Sequence, residues 1–443
     1  MVDVTVLGAG GATVTIALSS AQNAAAAQTA LIGITKLVQA GILDMQISTG
    51  AGTLPAATND LGGVVFTGTG FFGTTGDQYR FIGANGSGTN AVLGGRNVRT
   101  DVVAGDGANL TYANQSNNGQ VFYGNNNGGI ANFEGKVTAT VGNGIYLLAA
   151  DNDSTTTLNL GAGGTVNVID LGAGLGSTTV NALGSGTINA FASSDSVSGL
   201  VNMELTSGNV LIALVGTKAV INPGAANATI IGNLNSSATL FGGSGSVTVG
   251  GVAGNFTGGS AGGNIMFSST VSGSSTLVGG AGVGAPGDAL AAQGAGQTLV
   301  AGIGNTTLAA VTALGATGGS TFNVGAGIST VFGFEGGGST VNFGGSGISQ
   351  VLGRNGALFG AANIYNDLGT GGQVTILDFT TGLDQLTVKG DFSITFFELG
   401  APGNSTGSEV TLLQVSGGAS YTFFDSTPDG VANIFASDVT KIA

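Results

Sequence analysis

The stretch TFNVGAGISTVFGFEGGGSTVNFGGSGISQVLG, residues 321–353, decides the fold. It holds four strand-like runs, Thr321–Val324, 330–332, Thr340–Phe343 and 350–352, recurring about every nine residues between glycine-rich corners. Each run is rich in β-branched or aromatic residues, and glycine suits the tight corners between them. One such unit cannot bury its apolar face alone. Stacked units share a continuous core, so a fixed beat of strand and corner predicts a β-solenoid. Two units per coil would set the strands in two opposite sheets.

The beat can be followed back through residues 151–365, the expected solenoid repeats. Apolar centres fall near Leu158, Val166, Val180, Ile188, Leu211, Val220, Ile230, Leu240 and Val247. They continue near Ile265, Leu277, Leu299, Leu308, Phe322, Val331, Val341 and Val351. A submotif, Thr-apolar-Asn-apolar, recurs at 157–160, 165–168, 179–182, 187–190, 321–324 and 340–343. Period-two alternation turns its apolar pair inward and its Thr and Asn outward. Thr321, Asn323, Thr340 and Asn342 are therefore candidate surface-binding residues for an ordered surface such as ice or a glycan. The competing reading is local: Thr suits exposed strand positions, and Asn suits strand ends near turns.

The flanks differ from the repeats. Residues 1–50 read as a strand and helix cap. The alanine-rich segment 21–40 places Leu31, Ile34, Leu37 and Val38 at helical spacing, with Gly41 as a stop. Such a helix would cover an open solenoid end, or anchor a contact with another subunit. Residues 51–150 form an irregular β region, either an atypical first part of the solenoid or a small β-domain. Residues 366–443 carry more charge and longer strand-like runs and are expected to form a C-terminal β-domain. The expected fold class is all-β, a glycine-rich β-solenoid of β-roll or β-helix type with a short N-terminal helical cap.

Composition narrows the chemistry. Among 443 residues, 86 are glycine and only 7% are charged, while 42% are hydrophobic. Disordered chains show the reverse balance, and the five prolines are too few for collagen. The net charge is −14 with nine Lys and Arg, so no basic cluster exists to bind nucleic acid. Cysteine and histidine are absent, which removes disulfides, Cys or His zinc ligands and histidine-based triads. No uninterrupted apolar run is long enough for a transmembrane helix. The N-terminus, MVDVTVLGAGG, lacks the basic and apolar regions of a cleaved secretion signal. The glycines at 8–11 are followed by a strand-like segment, so no phosphate-binding helix opens there. Carboxylate pairs for polysaccharide cleavage, Asp151 with Asp153 or Asp195 with Glu204, lie in turn-like sequence without a basic cluster.

The segment VTILDFTTGLDQLTV, 374–388, resembles the region that follows the repeats in RTX proteins, bacterial surface proteins exported by type I machinery. The resemblance rests on an apolar strand, Asp378-Phe379, then Gly382 and Asp384, then a second apolar strand. It implies that Asp378 and Asp384 bind calcium. Calcium takes six to eight oxygens, so backbone carbonyls would have to complete such a site; the competing reading is that the two aspartates cap glycine turns. The acidic and apolar ending, 420–443, resembles the uncleaved secretion region of that family. The repeats keep the family's glycines and apolar positions but lack its calcium-ligating Asp, which implies a mostly metal-independent body. The expectation is an extracellular or cell-surface structural protein that self-assembles into a layer, sheath or fibre. The alternative is an adhesin or ice- or glycan-binding module on the Thr and Asn rows. A polysaccharide lyase or hydrolase ranks third.

Overall fold

The computed structural model describes the strands between Val2 and Ala192 with only a few of the residues joining them. It also describes residues 200–442 except 234–235, 270–273, 281, 295, 312–318, 334–337, 354–361, 370, 378, 400–407, 417, 426–433 and 435. Its contacts divide into two compact units, Met1–Asn227 and Ala228–Ala443. In each unit, strands of one set pair in parallel with the strand one coil away, and the alternate strands do the same. This is a parallel β-solenoid with two strands per coil.

In the first unit, one ladder runs from Asp44–Ser48 through Gly62–Phe66 and Arg80–Ala84 to Lys218–Asn222. The other runs from Gly70–Gly73 to Asn209–Val215. The same ladders thus pass through 51–150. A separate antiparallel hairpin joins Val2–Leu7 to Thr13–Leu18. Of the expected helix over 21–40, the described positions Gln28, Ile32, Thr35, Lys36 and Gln39 have helical backbone. The remainder of that segment, and its capping of a solenoid end, lie outside the described residues.

In the second unit, the first ladder runs from Ser237–Leu240 to Val439–Ile442. The second runs from Asn227–Gly232 to Ala419–Asp425. Gly372–Ile376 and Gln385–Lys389 continue the parallel pairing of the repeats. Among the described residues of this unit, antiparallel pairing is confined to Phe392–Leu399, Ser408–Val415 and Ala419–Asp425.

Register stacks like on like. Phe256, Leu277, Leu299, Phe322, Val341 and Tyr365 form one inward row, and each is at most 3% exposed. Met266, Leu290, Leu308, Val331, Val351 and Ile376 face them from the other ladder, each at most 1% exposed. Burying one such side chain stabilises the fold by about 1.5–3 kcal/mol. At three expected centres the inward residue is the neighbour: Ile212 rather than Leu211, Ile221 rather than Val220, Met266 rather than Ile265. Where two apolar residues adjoin, alternation alone leaves the inward one open, and a one-residue slip exchanges the faces.

At some glycine corners, close stacking leaves no room for a side chain. A Cβ on Gly327 would lie 2.2 Å from the Gly304 carbonyl oxygen, and one on Gly347 would lie 2.0 Å from that of Gly327. Successive corners therefore rest backbone on backbone.

Candidate functional site

The first ladder of the second unit carries the expected Thr and Asn rows. Thr321 pairs with Thr340 and Asn323 with Asn342, half-buried, while Phe322, Val324, Val341 and Phe343 point inward. The Thr row extends beyond the submotif to Thr276 and Thr298. The strands TLV at 276–278 and 298–300 keep the Thr and lose the Asn, so a search for the full submotif misses them.

The Asn amides bond along the solenoid axis. Asn342 Nδ2 donates to Asn323 Oδ1 at 2.8 Å, and Asn366 Nδ2 donates to Asn342 Oδ1 at 2.9 Å. The first unit repeats the device: Asn181 Nδ2 donates to Asn159 Oδ1 at 2.8 Å, and Asn159 Nδ2 to Thr140 Oγ1 at 3.2 Å. Farther along that row, Asn222 Nδ2 donates to Glu204 Oε1 at 2.5 Å. Every one of these donors belongs to the later coil. Such a one-directional chain polarises its members and ties adjacent coils together. The Thr hydroxyls are the part of this face that remains suited to an outside ligand.

Asp384 is only 1% exposed. Its Oδ1 accepts the Asn363 N–H at 2.8 Å and its Oδ2 accepts the Thr380 N–H at 2.9 Å. The same corner of other coils uses neutral acceptors. Gln297 Oε1 takes the Ser275 N–H at 2.7 Å, and Asn363 Oδ1 takes the Ser339 N–H at 3.2 Å. Asp384 thus ends a ladder of buried corner acceptors. Burial, above all, raises its pKa above the ordinary carboxylate value, the two N–H donors oppose that rise, and nearby Asp438 adds to it. Asp438 clamps the same turn: Oδ1 accepts the Gly382 N–H at 3.1 Å and Oδ2 the Thr381 hydroxyl at 3.2 Å. Gly382 has φ +74°, which explains the glycine of the Gly-x-Asp pattern. The structure therefore brings Asp384 and Asp438 to one turn. Asp378 lies outside the described residues.

Asp288, 2% exposed, is the acceptor at the opposite corner. Its Oδ1 takes the Asn264 N–H at 3.0 Å and the Asn264 amide at 2.7 Å. Asp367, 1% exposed, stands in an inward row beside Phe343. One oxygen accepts the Gly369 N–H at 2.8 Å. The buried Tyr421 hydroxyl faces this carboxylate without reaching ordinary hydrogen-bond geometry. Burial first, and then Asp367, push the Tyr421 phenol far above its usual pKa. Sequence reading missed Asp367, because its strand, IYND, has no signal separating an inward Asp from a turn Asp.

Of the carboxylates considered for catalysis, Glu204 is exposed and serves the amide row. Asp151, Asp153 and Asp195 lie outside the described residues. Among the described residues, no His, Cys, Asp and Glu group of three or more is placed to share a metal ion, and no helix is long and apolar enough to cross a membrane. No protein-family model, curated protein or solved structure matches the chain.

Proposed function

We propose that the chain is an extracellular structural protein that self-assembles into a surface layer, sheath or fibre and leaves the cell by a type I route. The observation that carries this reading is the use made of the polar side chains. Asn amides run from coil to coil, and the corner residues Gln297, Asn363 and Asp384 accept backbone N–H groups of the preceding coil. Polar groups used this way tie each coil to the next and stiffen the stack. The export route rests on the resemblance of 374–388 and has its own test. Secretion should stop when the host's type I exporter is disabled and continue when its general secretory pathway is blocked.

Electron microscopy of the purified chain tests assembly. Filaments or lattices are expected. Particles that stay monomeric at every concentration, with calcium and with chelator, would sink the reading. The calcium arm is included because Asp378 and Asp384 are the proposed ligands. At Asp384 a cation would have to compete with two N–H donors already in place, so the proposal gives calcium a role at the C-terminal segment and none in the repeats.

A second reading has its own observation, the in-register row Thr276, Thr298, Thr321 and Thr340. Strands spaced about 4.7–4.9 Å apart present these hydroxyls at a constant rise, suited to a regular ligand such as ice or a cell-surface glycan. Thr298→Val with Thr321→Val should abolish such binding. Unchanged binding by the double variant would remove the row from consideration.

A further inference from the structure

The outward face of the second ladder in the second unit differs from the Thr and Asn face. Its register aligns Ile231 with Gly250, Phe267, Ala291, Ala309, Phe332 and Leu352. One position beyond Ile376 and Phe423 on their strands, Leu377 and Phe424 extend the row. Five of its large members are strongly exposed: Ile231 53%, Phe267 39%, Leu352 39%, Leu377 41% and Phe424 38%. A parallel outward row holds Thr229, Thr248, Ile265, Ala289, Thr307, Thr330, Gln350 and Thr375, mostly threonine but with the exposed Ile265 among them. Among the described outward positions of this ladder, from Asn227–Gly232 to Ala419–Asp425, none is charged.

We infer that this face docks on the same face of a second copy of the chain, the two copies related by a two-fold axis. The inference rests on the self-assembly reading above and names the surface responsible for it. An apolar row of this length exceeds the scattered single residues normal on a protein surface. The absence of charge leaves nothing for an ionic partner to recognise. The spacing selects the occupant: only a second sheet with the same rise per coil meets each apolar residue with another along the whole length. A two-fold pairing sets the apolar row on its own copy and the threonine-rich row on its own copy, as self-complementary interfaces require. Strand spacing makes the face roughly 40 Å long, so with a width of roughly 12 Å a pair buries on the order of 1,000 Å² in total. That lies at the lower bound for a specific interface, so the full ladder must engage, which a copy of equal length allows.

The test uses the full chain. Phe267→Lys and Leu352→Lys each place a charge in the row without touching the inward stack, and Asn255→Lys does so on an exposed position of the first ladder. Sedimentation should show each row variant dissociating at concentrations about tenfold or more above wild type, with the first-ladder variant unchanged. Row variants that assemble like wild type would overturn the inference while leaving self-assembly intact. A wild type that stays monomeric would overturn both. Weakening by the first-ladder variant alone would assign the contact to the other face. Should a Lys variant fail to fold, single cysteines decide the matter, since the chain has none of its own. A thiol from Phe267→Cys should become shielded from labelling as concentration rises, while one from Asn255→Cys stays reactive. Equal labelling of the two at all concentrations counts against the docking face.

Discussion

At Gly347 a Cβ would lie 2.0 Å from the Gly327 carbonyl oxygen. No rotamer relieves that approach, because the obstacle is backbone. Gly347→Ala should therefore destabilise the second unit by about 1–3 kcal/mol, the usual cost of overpacking, read by denaturant unfolding. A variant as stable as wild type would show that the corners can separate. Asp384 gives a pH signature. Its folded pKa is raised, so folding favours the protonated form. The stabilisation tied to that proton is complete below the unfolded value of about 3.9 and is lost as pH rises through the folded pKa. Asp384→Asn, neutral throughout, should flatten this part of the stability profile. An unchanged slope would mean that another group carries it. Exposed Asp391, paired with Lys441, acts with the opposite sign: its lowered pKa gives stability that is lost on acidification.

Among the elements, the amide rows and the Thr row make opposite predictions. Asn342 sits between two ladder bonds, and at about 0.5–1.5 kcal/mol per bond Asn342→Ala should cost roughly 1–3 kcal/mol. Thr340→Ala, on the same strand and face, should change stability by less than about 0.5 kcal/mol. Thermal melts of the two variants compare them directly. Equal losses would mean that the Thr row, too, is structural. The elements also show how much was legible beforehand. The runs Thr321–Val324 and Thr340–Phe343 occur as strands with those bounds, with the expected faces, because alternation around a lone apolar pair has one solution. At 265–266 two apolar residues adjoin, and the answer came from pairing with Val249 and Leu290. The amide ladder was invisible for a related reason. Asn342 and Asn323 are 19 residues apart, and only the coil length brings them together.

For the whole molecule, the ends of the stack matter most. Val439–Ile442 covers Gln385–Lys389, whose Leu386 and Val388 are 0% exposed. Asp438 fastens the covering strand to the turn at 380–384. The strand is short and carries the exposed Lys441, two features that discourage further pairing at an edge. Deleting 436–442 should open a longer apolar edge and speed concentration-dependent association, measured by light scattering. A truncated chain that associates no faster than wild type would show that this edge is protected some other way. The sequence by itself determined the all-β solenoid, the two-strand coil and the poverty of charge, since alternation and glycine corners act within a few residues. Only the tertiary structure decided which apolar residue of an adjoining pair turns inward, which carboxylates become corner acceptors, and where the uncharged apolar row runs. Those outcomes depend on register between residues roughly one coil apart, and register is set by the packed core and the length of each corner together.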